Sequence, residues 1–209
     1  MNKEKINYRS IISAYVRMGY TFYSDPFRLN LFSIRSSESE SNKFDDITCG
    51  FYSDYQGNVH TLIFDSTTDP GKYWLQNPSN RLGTAILVPG QYYDVYTIGL
   101  HGRTGLNPYE AFEQVGPMKY VRDNNKDTKL DFDLIKDRKN IFWANIKSNI
   151  HRASKLIIVQ LVEKYSAACQ VIQSASHFES LLQAGKNQVK KTGRATFDYA
   201  LFTEDEFFV

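Results

Sequence analysis

The sequence predicts an α+β protein that is built mainly of β-strands. Short apolar and aromatic runs alternate with turn-forming residues, and 14% of the residues are aromatic, a composition that favours strands packed into sheets. Helical periodicity is confined to two regions, residues 3–18 and 177–189. No linker or internal repeat divides the chain. We therefore expect an N-terminal helix within residues 1–20 and a single domain over residues 21–209.

The N-terminal helix is predicted from apolar residues at helical spacing, and Gly19 is its expected end. Two roles are open for it: packing on the main domain, or docking to a partner. The residues of the apolar face are Ile6, Ile11, Ile12, Tyr15, Val16 and Met18.

Seven runs then read as strands, and a capped helical turn is expected at 107–112, where Pro108 stands at a favoured first position. A later helix is expected to start with a capping box at Ser176 and Glu179 and to end at Gly193. The tail, residues 204–209, either docks on its own domain or on a partner. The strand-like runs are 28–35, 47–52, 59–64, 85–88, 92–100, 118–122 and 195–202.

Composition narrows the classes of function. The net charge of +2 provides no global field for nucleic acid, so no nucleic-acid partner is expected. Two cysteines make no disulfide framework, and Cys49, within a strand-like run, is expected to be buried and inert. There is no apolar run long enough for a membrane span.

Nothing has the spacing of a zinc site, and residues 123–134 lack the glycine and glutamate of a calcium loop. No metal or cofactor is expected.

The second cysteine, Cys169, lies 18 positions after His151. A thiol becomes a strong nucleophile when a nearby base or positive field makes it a thiolate. Two apolar segments, 142–150 and 157–162, read as strands on either side of the histidine. Adjacent strands would bring the imidazole and the sulfur together. Without a family resemblance, a buried small cysteine and an unrelated histidine are the more common explanation of such a pair.

The spacing of His151, Ser166 and Cys169 resembles the catalytic signature of the L,D-transpeptidase (YkuD-like) family, in which a histidine precedes a Ser/Thr-His-Gly-Cys motif. Ala167 and Ala168 stand where the family has its second histidine and its glycine. Three phrases also resemble those of tailed-phage peptidoglycan hydrolases over roughly residues 30–202: Ile-Gly-Leu-His-Gly, Val-Arg-Asp-Asn-Asn-Lys-Asp and Asn-Ile-His-Arg-Ala.

The resemblance implies an L,D-transpeptidase-like β-sandwich in which Cys169 attacks an amide carbonyl while His151 takes the thiol proton. The N–H groups of Ala168 and Cys169 would hold the oxyanion, and Ser166 would hydrogen-bond across the turn. If that turn demands a positive φ, alanine at 168 is strained. Arg152 either binds a substrate carboxylate or is a surface arginine, and His101 either lines the cleft or is an exposed loop histidine.

The implied substrates are the stem peptides of bacterial peptidoglycan, cleaved through a thioester that water resolves, as in an endolysin during phage lysis. Met1 to Ile6 lack the apolar stretch of a secretory signal. We therefore expect synthesis in the host cytoplasm and either a holin-type route to the cell wall or carriage in the virion beside other virion proteins. The alternative is a non-catalytic virion or cell-wall-binding module on the same fold.

Overall fold

A computed structural model of the protein describes residues 1–103, 105 and 107–208. The helices are α1 (Tyr8–Arg17), α2 (Lys72–Gln76), α3 (Ala175–Thr192) and α4 (Glu204–Phe208). The strands are β1 (Asn30–Arg35), β2 (Asp46–Ser53), β3 (Val59–Thr67), β4 (Thr84–Leu87), β5 (Gly90–His101), β6 (Tyr109–Gln114), β7 (Met118–Asp123), β8 (Phe142–Ala144), β9 (Ile150–Arg152), β10 (Gln170–Ile172) and β11 (Thr196–Thr203).

Eight of the strands close into a barrel in the order β1-β11-β5-β6-β9-β10-β3-β2. The pairs β1 with β11 and β9 with β10 are parallel, and the other neighbours are antiparallel. A separate three-stranded sheet has the order β4-β7-β8. The expected α+β, mainly β class is confirmed, and the L,D-transpeptidase-like sandwich type stays a prediction.

The two faces of the barrel strands belong to two different clusters of buried side chains. In β1, Leu31 joins the larger cluster, whereas Phe32 joins a second cluster that includes α1. This alternation follows from the two-residue period of a strand. The helix α3 contributes Phe178, Leu181 and Leu182 to the larger cluster, which also contains residues from strands around the whole barrel. The predicted apolar face of this helix is therefore confirmed.

The N-terminal helix and the C-terminal tail both pack on the outside of the barrel. Ile11 and Tyr15 of α1 are buried in the second cluster together with Phe207 of α4. The sequence left open whether each of these two segments packs on its own domain or docks to a partner. In the structure, both pack on the barrel of this chain. Among the described residues, no helix is long and apolar enough to cross a bilayer.

Four local predictions were wrong. Residues 142–150 do not form one strand, because Phe142–Ala144 belongs to the three-stranded sheet and Ile150 starts β9 of the barrel. Residues 107–112 form no helical turn, because Tyr109 to Gln114 pair with β5 as strand β6. The helix α3 starts at Ala175, and its N-cap residue, Ser174, makes no side-chain capping bond. Residues 157–162 form no strand, and Ile157 and Ile158 are 67% and 61% exposed. Propensity alone does not form a strand where no neighbouring strand edge is offered.

Candidate functional site

The histidine and the cysteine singled out in the sequence lie on neighbouring parallel strands. His151 is the middle residue of β9, and Cys169 directly precedes β10. The register places Val171 opposite His151, so Cys169 lies two residues before that partner position. Because parallel strands require a long crossover, residues 153–169 leave one strand and return to start the other. The neighbour of the histidine strand is therefore β10, not the run at 157–162.

His151 is almost fully buried, and its tautomer is set by the backbone. Its Nδ1 lies 2.8 Å from the carbonyl oxygen of Arg152. Because a carbonyl oxygen can only accept a hydrogen bond, we assign the proton to Nδ1. Nε2 is then the basic nitrogen. Among the described residues, no hydrogen bond of ordinary geometry reaches this buried atom. A polar contact of the ring with the Tyr165 backbone nevertheless favours the imidazolium and opposes the effect of burial on the pKa.

The pKa of the His151 imidazole is lowered to about 3, first because burial disfavours the imidazolium and next because of His101. The rings of His101 and His151 stack with centroids 4.0 Å apart. Burial and the nearby Arg152 guanidinium also lower the pKa of His101. The structure therefore brings His101, at the end of β5, into direct contact with the predicted base. Both rings are neutral at physiological pH.

Tyr109 also lies in this group, and sequence analysis missed it. Its hydroxyl is 3.3 Å from Nδ1 of His151 and 3.2 Å from the carbonyl oxygen of Arg152. Cζ of Arg152 lies 4.0 Å from the centroid of the Tyr109 ring, a cation–π distance. Arg152 therefore stacks on the tyrosine, and no described acidic side chain forms an ion pair with it. The expected turn at 107–112 hid this strand residue.

Cys169 is partly exposed and its thiol is not activated in the resting structure. Sγ lies 3.6 Å from the carbonyl oxygen of Lys147. Burial raises the pKa of the thiol to about 11, although the Asn149 backbone N–H opposes this shift. Among the described contacts, no hydrogen bond joins Sγ to either nitrogen of His151. The thiol and the imidazole are thus both neutral, and no described contact joins them. Cys49, the other cysteine, is buried, as expected for an inert thiol.

The turn before Cys169 has the cross-turn bond predicted for Ser166, whose hydroxyl donates to the carbonyl oxygen of Cys169 over 2.8 Å. Ala168 is not among the non-glycine residues with positive φ, which in this region are Lys147 and Glu163. The chain therefore forms this turn without needing glycine at 168, and alanine is not strained there. No described acceptor takes a hydrogen bond from the N–H groups of Ala168 and Cys169.

Cys169 lies at the wall of an open groove with a volume of about 450 Å³. One side of the groove is formed by the three-stranded sheet, and the other by the segments that hold Lys147 and Cys169. Arg122 and Lys147 are the only charged residues of its lining, so its field favours a ligand with carboxylates. The lining residues are Ser79, Asn80, Ala85, Tyr120, Arg122, Ala144, Asn145, Ile146, Lys147, Ala167, Ala168 and Cys169.

A buried polar network fixes the two segments that form this wall. Oε1 of Gln114 accepts hydrogen bonds from the N–H groups of Ile146 and Ser148, at 3.1 and 2.7 Å. The Ser148 hydroxyl donates to the carbonyl oxygen of Ala168 over 2.6 Å, and Gln170 Nε2 donates back to that hydroxyl over 3.2 Å. An isolated glutamine or serine carries no sequence signal of a positioning role, so these residues were missed.

Comparison with known protein families, with curated proteins and with solved structures gave no match to this chain.

Proposed function

We propose that this protein is a peptidoglycan hydrolase of the phage endolysin kind, which cleaves a stem-peptide amide bond by acyl transfer through Cys169. The main support is the pair of backbone N–H groups of Ala168 and Cys169, which have no described protein acceptor and lie beside a thiol at a groove wall. Two such donors beside a nucleophile are what the oxyanion of a tetrahedral intermediate requires.

The chemistry of the groove supports a peptide substrate rich in carboxylates. Arg122 and Lys147 line it, and none of its lining residues is acidic. Arg122 is already held by the carbonyl oxygen of Gly83 at 2.9 Å, so its charge is fixed in place before a ligand arrives. Stem peptides carry several carboxylates, which this pair of cations complements.

In the proposed reaction, Nε2 of His151 accepts the thiol proton while Sγ of Cys169 forms a bond to the amide carbon. The oxyanion collapses, the C–N bond breaks, and His151 returns its proton to the leaving amine, which leaves a thioester. Water then attacks the thioester, and the stem peptide is released with a new carboxyl end. Because both groups are neutral at rest, the proton moves during the attack and not before it.

The same proposal extends to ancestry. Its support is the spacing of His151, Ser166 and Cys169, which resembles that of an L,D-transpeptidase-like domain in which two positions of the Ser-His-Gly-Cys motif are alanines. The partners are then the bacterial cell wall and, for a particle-borne protein, other virion proteins.

A second function has its own support: a non-catalytic virion or cell-wall-binding module on the same fold. The raised pKa of the Cys169 thiol and the lowered pKa of the His151 imidazole both oppose an ion pair. No described hydrogen bond joins the two side chains. Such a module would use the basic groove for binding alone.

Digestion of purified peptidoglycan sacculi separates the two functions. The wild type should release soluble muropeptides with new carboxyl and amino ends, which mass spectrometry identifies. Cys169→Ala should abolish release, and His151→Ala should lower it by at least about a hundredfold. Cys49→Ala is the matched control and should keep full release, because Cys49 lies in the core. Sacculi binding without release by the wild type would support the module instead.

A further inference from the structure

The crossover between β9 and β10 carries an exposed aliphatic surface that the proposed reaction does not use. We call residues 154–161 the apolar loop. Leu156 is 88% exposed, Ile157 67%, Ile158 61% and Leu161 53%. Single exposed aliphatic residues are common on protein surfaces, whereas several in one short segment mark an interaction site.

The backbone of the apolar loop is held in place by polar contacts. The Ser154 hydroxyl accepts hydrogen bonds from the N–H groups of Leu156 and Ile157, at 3.2 and 3.4 Å. The carbonyl oxygen of Val159 accepts one from Gln173 Nε2 over 2.8 Å. Past the loop, Val162 is buried, and its N–H donates to the carbonyl oxygen of Asn42 over 3.1 Å. A defined backbone therefore presents the aliphatic side chains to solvent.

Basic and aromatic residues flank the aliphatic tip. Lys155 is exposed at the start of the loop. Past its end, Nζ of Lys164 lies 4.3 Å from the centroid of the Tyr73 ring, and the indole N–H of Trp74 donates to the carbonyl oxygen of Lys164 over 3.1 Å. Lysines and amphipathic aromatic rings around an aliphatic tip are the composition found where a protein meets the headgroup region of a bilayer.

The segment that carries the apolar loop is basic. Residues 147–164 contain the basic residues Lys147, Arg152, Lys155 and Lys164 and a single acidic residue, Glu163. The Glu163 carboxylate already accepts a hydrogen bond from Asn42 over 2.7 Å. A second copy of this chain would bring the same basic residues face to face across a two-fold contact, which their repulsion opposes.

We propose that the apolar loop inserts into the surface of an anionic lipid bilayer, with its lysines among the headgroups. The aliphatic tip gains the free energy of apolar burial, and each lysine adds an electrostatic attraction that salt weakens. The inference goes beyond the proposed hydrolase and does not depend on it, because no step of lipid binding involves Cys169.

Vesicle co-sedimentation tests this proposal. The full-length protein is mixed with vesicles of equal parts phosphatidylglycerol and phosphatidylcholine, and in parallel with pure phosphatidylcholine vesicles. We expect partition onto the anionic vesicles that falls with added salt. Leu156→Asp should weaken this partition by at least about tenfold, because it puts a charge at the inserted tip. The matched control is Leu82→Asp, which alters another exposed leucine, 51% exposed, and should bind as the wild type does.

Lys155→Glu should weaken binding to anionic vesicles and leave binding to neutral vesicles unchanged. Thermal unfolding of each variant checks that it folds. The proposal is overturned if the wild type fails to sediment with anionic vesicles, or if Leu156→Asp sediments as the wild type does. It is also overturned if the wild type self-associates in solution without vesicle binding and Leu156→Asp makes it monomeric, because the loop would then contact a second copy.

Discussion

At the scale of single residues, burial governs the chemistry of this protein more than any ion pair does. The imidazole of His151 and the thiol of Cys169 are both shifted towards their neutral forms, chiefly by desolvation. The proposed reaction therefore relies on geometry: an assigned tautomer, the buried Nε2 and two backbone donors. Residue identity and spacing suggested the pair as candidates, but the protonation states depend on surroundings that no local sequence pattern contains.

The first prediction concerns the titration of Cys169. Iodoacetamide should label it slowly at neutral pH, with a rate that rises towards a midpoint near pH 11, because the thiolate is desolvated. Peptide mass spectrometry measures the rate at each pH. Cys49 is an internal control, since it is 0% exposed and should stay unlabelled in the folded protein. A midpoint below pH 7 that disappears in His151→Ala would show a resting ion pair and contradict the neutral pair.

A second prediction concerns the buried carboxyl of Asp46. Its pKa is raised to about 7, first by burial and next by Asp69, while Arg35 opposes the shift. Between about pH 4, where an unfolded aspartate titrates, and pH 7, the folded state holds a proton that the unfolded chain has lost. The stabilisation from this proton is full below pH 4 and is lost as the pH rises through 7, so this group makes the free energy of unfolding fall across that window.

Urea unfolding at several pH values measures the effect. Asp46→Asn should be less stable than the wild type at every pH, because both oxygens of the Asp46 carboxyl group accept hydrogen bonds, from the Ser36 N–H and from the N–H and hydroxyl of Thr68. Its loss of stability between pH 4 and 7 should nevertheless be smaller than that of the wild type. The exposed change Asp205→Asn should leave the wild-type slope unaltered. An unchanged slope in Asp46→Asn would assign the titration to another group.

At the scale of elements, packing decided what local patterns left open. The C-terminal tail, acidic and then apolar, forms the short helix α4 because Phe207 fits into the second cluster. Its ring stacks on Phe32 at 5.8 Å and meets Phe202 edge-on at 5.6 Å. The run at 157–162 is also apolar, but it pairs with no strand among the described residues. The same residue types are thus buried in one element and exposed in another.

The third prediction tests the docking of the tail. Phe207→Ala should lower the free energy of unfolding by about 3–5 kcal/mol, because it empties a site in the core. Phe208→Ala removes a neighbouring ring that is only partly buried, and the loss should be clearly smaller. Urea denaturation of both variants makes the comparison. Equal losses would mean that α4 does not anchor the tail through Phe207.

At the scale of the whole molecule, the strand runs and the α3 face were predictable because each has its own period in the sequence. Barrel closure was not, since it depends on pairings between distant segments, such as β1 with β11. In the candidate site, too, local patterns could be read from the sequence and contacts between distant segments could not. His151 and Cys169 were found by spacing, whereas Tyr109, Gln114 and Gln170 join the site only through the arrangement of the barrel strands.

Intact-protein mass spectrometry after acid quenching tests most directly whether Cys169 forms the proposed thioester with a stem peptide. With a stem tetrapeptide substrate, the wild type should show an added mass equal to the acyl fragment, located on Cys169 by peptide mapping, together with the released amine. Cys169→Ala should show neither. Peptide cleavage that continues in Cys169→Ala, or a wild type that binds the peptide and releases no amine, would contradict the account.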